Sequence, residues 1–174
     1  PNFGNYRIKI DNETESDRIV LLDFGAVQKY PDSFILPVCQ MICSAYDVDV
    51  PGVIKGGIAL HFMQKSWPES VLKEFAEVCI AVLEPLSKDQ PGAGPQAFNE
   101  LGEYSWRDSD LPSRIAKRAA VSAISRYFKI PPKEFVFLNR KLVGVYTFIS
   151  VLNGQFNGRD LLEPHVNIFK SEHS

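Results

Sequence analysis

Asp23 and Asn5 are the residues of this 174-residue chain best suited to hold a hard cation. A carboxylate and a side-chain amide oxygen suit Mg²⁺ when the ion also neutralises the crowded phosphate oxygens of a nucleotide. Asp23 opens the triplet Asp23-Phe24-Gly25 directly after the apolar run Ile19-Val20-Leu21-Leu22, and Asn5 stands near the start of the chain. A strand ending at Leu22 would anchor the carboxylate, and Gly25 lets the backbone turn beyond it without a Cβ clash. The chemistry this spacing predicts is the metal-holding half of a phosphoryl-transfer site. The plainer competing reading is a strand ending in a glycine turn, with Asp23 capping local backbone donors and Asn5 as a turn asparagine.

The elements around the pair decide between these readings. Tyr6, Ile8 and Ile10 alternate with Arg7 and Lys9, the period-two pattern of a half-exposed strand. The polar stretch Asp11 to Asp17 reads as a loop, and Arg18 to Leu22 returns as a second, more buried strand. In such a hairpin the start of one strand lies beside the end of its partner, so Asn5 is predicted to sit near Asp23.

With those residues in view, Pro1-Asn2-Phe3-Gly4-Asn5-Tyr6, followed by Ile19 to Leu22 and Asp23-Phe24-Gly25-Ala26-Val27, resembles the atypical kinase family that includes UbiB-like and AarF-like proteins. Phe137-Leu138-Asn139-Arg140-Lys141-Leu142-Val143-Gly144 resembles a helix near the C-terminal end of that family's domain. The resemblance implies an α+β, predominantly helical, protein-kinase-like C-terminal lobe whose short N-terminal β-hairpin carries the metal motif. Residues 1–30 would hold the catalytic-loop remnant, hairpin and triplet, and residues 31–174 a helical body, as one domain without the N-terminal lobe. It further implies Mg²⁺ and ATP as cofactors, Asn5 and Asp23 as catalytic metal ligands, and Phe24 and Gly25 beside the nucleotide. The family's catalytic aspartate would fall immediately before Pro1, and its nucleotide-positioning lysine in the N-terminal lobe. The chain alone is therefore expected to be inactive. The family is associated with ubiquinone or other isoprenoid-lipid metabolism beside a membrane, with a small-molecule or lipid acceptor. Pro1-Asn2 departs from the family's commoner His-Pro phrase, which bears on the quinone role more than on fold or metal site.

Composition narrows the remaining classes. With 19 basic against 21 acidic residues, no electrostatic case exists for a nucleic-acid partner. No apolar run has the length of a bilayer span. Cys39 and Cys43 lie one helical turn apart on an apolar face and read, like Cys79, as buried free thiols in a reducing compartment. The expected setting is cytoplasmic, with peripheral membrane contact through regions outside these residues as an alternative. A non-catalytic kinase-like module that binds a partner or a lipid is the rival function.

Beyond the triplet, helical periodicity replaces alternation. Ala26 to Pro31 is a brief connector that leaves little room for an extended peptide substrate. Asp32 or Ser33 is placed to cap a helix reaching Tyr46, with Phe34, Val38, Ile42 and Ala45 on one face. Pro51 to Met63 and Glu69 to Leu86 follow, the latter with a stripe of Val71, Leu72, Phe75, Val78, Cys79, Val82 and Leu86. Lys55-Gly56-Gly57 is too short for a phosphate loop. Pro95 to Asp110 reads as irregular, tethered by Phe98, Leu101, Tyr104 and Trp106. Asp110 caps a helix to Phe128, with Arg114, Lys117, Arg118 and Arg126 on its surface and Ile115, Ala119, Ala123 and Phe128 inward. Glu134 to Leu152 shows the clearest stripe, Phe135, Leu138, Leu142, Val145, Ile149 and Leu152, with Arg140 and Lys141 beside it and Arg140 placed to brace the lobe through a carboxylate. Arg159 to Phe169 closes the chain, Lys170 to Ser174 frays, and His165 and His173 are assigned no chemistry.

Overall fold

In the computed structural model, which describes residues 3–13, 16–23, 27–87, 92–121, 127 and 132–173, the chain runs from a β-hairpin into a helical body. Strands β1 (Tyr6–Lys9) and β2 (Arg18–Leu21) pair antiparallel, with Tyr6 opposite Leu21 and Ile8 opposite Ile19. Because side chains alternate across a strand, Tyr6, Ile8, Ile19 and Leu21 share one face, and Arg7, Lys9, Arg18 and Val20 the other. The polar link is tied by Asp side chains: the amide of Asp11 donates to Asp17 at 3.2 Å, and that of Glu13 to Asp11 at 3.0 Å. One expectation is corrected here, since β2 is exposed along its whole length. The hairpin's apolar face meets the helical body where the Tyr6 ring lies 4.8 Å from Phe148, and that contact does not cover Ile8 or Ile19.

Helix α1 (Asp32–Tyr46) already includes its expected caps, Asp32 and Ser33, so Pro31 occupies the cap position and its carbonyl accepts from the amides of Phe34 and Ile35. Asp32 then falls in the first turn, where its charge complements the helix dipole. Phe34, Val38 and Ala45 are buried against α2 (Val50–Ala59) and α3 (Glu69–Val82), with Val53 and Ala76 fully enclosed between the three helices. The helix expected to reach Met63 stops at Ala59. The amides of Phe62 and Met63 fold back onto the Gly57 carbonyl at 2.9 and 3.2 Å, which turns both side chains into the core. Gly56 and Gly57 lie inside α2, where Gly56 allows close approach: a Cβ there would come within 2.8 Å of the Met41 Cβ. After α3 the chain makes a single 3₁₀ turn, Glu84–Leu86, because Pro85 offers no amide to continue the helix.

The stretch expected to be irregular is anchored by a small two-stranded sheet, β3 (Tyr104–Ser105) with β4 (Gln155–Phe156). Tyr104 and Trp106 are buried, and the Trp106 ring lies 4.8 Å from Tyr146 and 5.4 Å from Phe156. Leu101 is no tether. It is exposed at the tip of a turn in which the Asn99 side chain accepts from the amides of Leu101 and Glu103 at 3.0 and 2.9 Å. Helix α4 spans Leu111–Val121. Arg126, Phe128 and Ala123, expected on its continuation, lie outside the described residues, as does the side chain of Ala119.

Helix α5 (Lys133–Val151) reaches the body with Phe135, Leu138, Leu142, Tyr146 and Ile149, whereas Val145 and Leu152 of the expected stripe are exposed. The stripe winds slightly around the helix, and Gly144 is the position that becomes buried. Helix α6 (Gly158–His173) does not fray after Phe169: Lys170 pairs with Asp47 in the turn after α1, and the His173 ring stacks on Phe169 at 4.3 Å. No described helix is long and apolar enough to cross a membrane.

Candidate functional site

The hairpin ladder continues beyond its strands, for the amide of Leu22 donates to the carbonyl of Asn5 at 2.9 Å. That bond sets Asn5 against the residue before Asp23. The Asn5 amide then lies alongside the Asp23 carboxylate, with Nδ2 donating to Oδ2 at 3.4 Å. The distance is long for an N–H···O bond, so the two groups are adjacent without being locked together. The paired strands thus join residues separated by the whole hairpin, as their spacing predicted. Phe24 and Gly25, expected beside a nucleotide, lie outside the described residues.

The donor chemistry of the pair can be compared with what a cation needs. Among the described residues, no group of three or more His, Cys, Asp or Glu side chains is placed to hold a metal. Asn5 and Asp23 offer oxygen atoms from one amide and one carboxylate at an exposed edge. Mg²⁺ in nucleotide sites keeps waters and takes phosphate oxygens, so it needs one or two protein carboxylates, not a closed cage. The pair fits that requirement and would be a poor site for an ion requiring a full set of protein ligands. The cationic face of the hairpin begins two residues from Asn5, at Arg7, and continues through Lys9 and Arg18. The alternation of β1 carried this signal, since i and i+2 side chains must lie together.

A buried ion cluster was not anticipated. Glu84, nearly fully buried, accepts two bonds from Arg114 at 2.7 and 2.8 Å and one from the Tyr104 hydroxyl at 2.8 Å. Arg114 also donates from Nε to Asp110 at 2.6 Å. Arg114, expected on a solvated face, is therefore the brace between α4 and the turn after α3. Burial opposes its charge, but the bonds to Glu84 and Asp110 outweigh that and hold the guanidinium above its ordinary range. Burial is also the main cause that raises the Tyr104 hydroxyl. The bracing role expected of Arg140 is corrected accordingly: among the described residues neither Arg140 nor Lys141 forms an ion pair, and both point from the exposed side of α5.

The three cysteines are free thiols. Cys79 is pushed up to about 12 by burial, although its residual surface faces an open cavity between α1, α3 and α5. Burial also raises Cys39 and Cys43. None has the low-pKa surroundings of a nucleophile. Asp47 and Asp49 lie in the turn between α1 and α2, with Asp47 engaged by Lys170.

Comparison with known proteins gives a consistent picture. The chain is 29% identical over 153 residues to "Atypical kinase coq-8, mitochondrial" of Caenorhabditis elegans, covering 87% of this chain and 18% of that protein. It is 26% identical over 169 residues to "Probable serine/threonine-protein kinase abkA" of Dictyostelium discoideum, covering 97% of this chain and 28% of that protein. With "Atypical kinase COQ8B, mitochondrial" of Danio rerio it shares 24% over 172 residues, 99% of this chain and 25% of that protein. The chain thus spans between 18% and 28% of the length of these relatives. No family model matches it. Similarity to COQ8 atypical kinases at low identity across most of the chain agrees with the resemblance to UbiB-like kinases read from its motifs.

Proposed function

We propose that this chain supplies the metal-holding part of a nucleotide-dependent phosphoryl-transfer site in a kinase-like protein. The observation that carries the reading is the Asn5 amide set beside the Asp23 carboxylate at the end of the hairpin. The similarity to atypical kinases along most of the chain supports it independently. Asp23 and Asn5 would hold Mg²⁺, which supplies charge neutralisation at the β and γ phosphates of bound ATP. The hairpin's part is to fix the separation of two oxygen donors before the nucleotide arrives, so that little reorganisation remains. Phe24 and Gly25 are assigned beside the nucleotide, and the cations of Arg7, Lys9 and Arg18 would favour an anionic ligand.

The proposal extends to the whole protein only through its relatives. Transfer or hydrolysis of the γ-phosphoryl group needs a base and a nucleotide-covering lobe, which this reading assigns to regions outside the 174 residues. Ubiquinone or isoprenoid-lipid metabolism, a small-molecule or lipid acceptor and a mitochondrial setting belong to the same proposal. In the full-length protein, Asp23→Ala is expected to weaken Mg²⁺-dependent ATP binding at least tenfold, measured by calorimetry with and without the ion. Equal binding by both proteins removes Asp23 as the metal anchor. The 174-residue chain alone is expected to hydrolyse no ATP, and hydrolysis lost in Asp23→Ala would overturn its assignment as an incomplete site.

A second reading, a non-catalytic kinase-like interaction module, is favoured by the exposed apolar hairpin face with Ile8 and Ile19. Unchanged nucleotide binding in Asp23→Ala would favour it.

A further inference from the structure

Helix α5 stands off from α1 and α3 along its middle. At one end Phe135 meets Phe62 edge-on at a centroid distance of 4.3 Å. Toward the other end the Tyr146 hydroxyl donates to the Val82 carbonyl at 3.0 Å, and its ring packs 4.8 Å from Trp106. Between these two supports lies a cavity of about 300 Å³. Leu138 and Leu142 of α5 face Met41 and Ile42 of α1 and Phe75 and Cys79 of α3 across it. Among the described lining residues, the polar groups are the Asn139 amide at the exposed edge of α5, the Cys79 thiol and the Trp67 indole N–H, which already donates to Gln64 at 3.2 Å, and no charged side chain is present.

Protein interiors are close-packed, and an empty apolar space of this size removes the contacts its walls would otherwise make. The cavity explains why the apolar stripe of α3 is only half-buried, for Phe75, Val78 and Cys79 line it. The volume lies at the lower bound of small-molecule pockets, which are mostly apolar with a few polar groups that fix orientation. A helix, about 10–12 Å across with its side chains, could not enter it. The described wall offers no charged side chain to pair with an ion, so an uncharged occupant fits it.

From this geometry we infer that the cavity between α1, α3 and α5 binds a single uncharged hydrocarbon chain, whose polar end stays at Asn139. The inference does not rest on the nucleotide reading, because Asn5 and Asp23 take no part in the lining.

The test uses 1-decanol and the 174-residue chain. Saturable binding of one molecule per chain is expected by calorimetry. Leu138→Trp, which fills the space, is expected to weaken it at least tenfold with the helical circular-dichroism signal retained, and Leu142→Phe repeats the test from one turn further along α5. Ile19→Glu on the exposed hairpin is expected to leave binding unchanged. In the unmodified protein, saturating decanol is expected to raise the midpoint of thermal unfolding, a readout that needs no variant to fold. Absence of saturable binding, equal binding by a folded filled variant, loss of binding in Ile19→Glu, or an unchanged unfolding midpoint would each overturn the assignment.

Discussion

Glu84 shows how much one side chain can depend on distant partners. Its carboxylate is almost wholly buried and is satisfied by Arg114 and Tyr104, from positions 30 and 20 residues away. Removing Arg114 leaves an unpaired buried charge, so Arg114→Met is expected to destabilise the chain by about 3–5 kcal/mol in urea unfolding. Tyr104→Phe removes one bond to a charged acceptor and should cost about 1.5 kcal/mol. Because the members share a network, Glu84→Gln combined with Arg114→Met should cost less than the sum of the single changes. An additive double variant would mean that the two side chains do not act together. Asn5 and Asp23, by contrast, were legible as neighbours because local alternation and a polar link dictate their pairing. Arg114 was not: helical periodicity placed it on a surface, and nothing in its own helix names Glu84. Arg140 failed for the same reason, since an arginine's partner is a tertiary fact.

At the scale of elements, the period-two and helical patterns located the hairpin and the described helices, while ends and caps were set by contacts that periodicity does not contain. The glycines of α2 make this measurable. A Cβ at Gly56 would meet Met41 Cβ at 2.8 Å and backbone atoms at 3.2 Å, which can yield only if α1 and α2 separate. At Gly57 the obstacle is the Met63 terminal methyl at 2.4 Å, the far end of a flexible side chain. Gly56→Ala is therefore expected to lose about 1–2 kcal/mol despite better helix propensity, and Gly57→Ala to be neutral or to gain about 0.5 kcal/mol. Equal effects in thermal unfolding would contradict the close α1–α2 crossing. Helix α3 carries a pH prediction of its own. Cys79 titrates at 9.0 when unperturbed and at about 12 in the folded chain, because burial disfavours its thiolate. A raised pKa contributes stability that is fully present below pH 9.0 and is lost as pH climbs towards about 12. Cys79→Ala should thus show a shallower alkaline loss of urea stability than the unmodified chain, and parallel profiles would place the thiol in water.

For the whole molecule, the question is what the exposed hairpin does to the behaviour of the chain in solution. Alternation placed Tyr6, Ile8 and Ile10 on one apolar face, which the strand register extends to Ile19, but a pattern of side chains says which face wants cover and not what provides it. The face in fact touches the helical body through Tyr6 and Phe148, leaving Ile8 49%, Ile19 55% and Ile10 67% exposed. Contiguous apolar surface of this kind drives association, and the paired strands also offer an edge to a second hairpin. The 174-residue chain should therefore self-associate as its concentration rises, detected by light scattering coupled to size exclusion. A charge at the centre of the patch should suppress this at little cost, since Ile19 has few contacts to lose. Ile19→Glu is expected to keep the chain monomeric and to change its unfolding free energy by no more than about 0.5 kcal/mol. A loss above about 1 kcal/mol would mean that Ile19 is packed in solution, with the hairpin lying against the helices along more than its Tyr6 end.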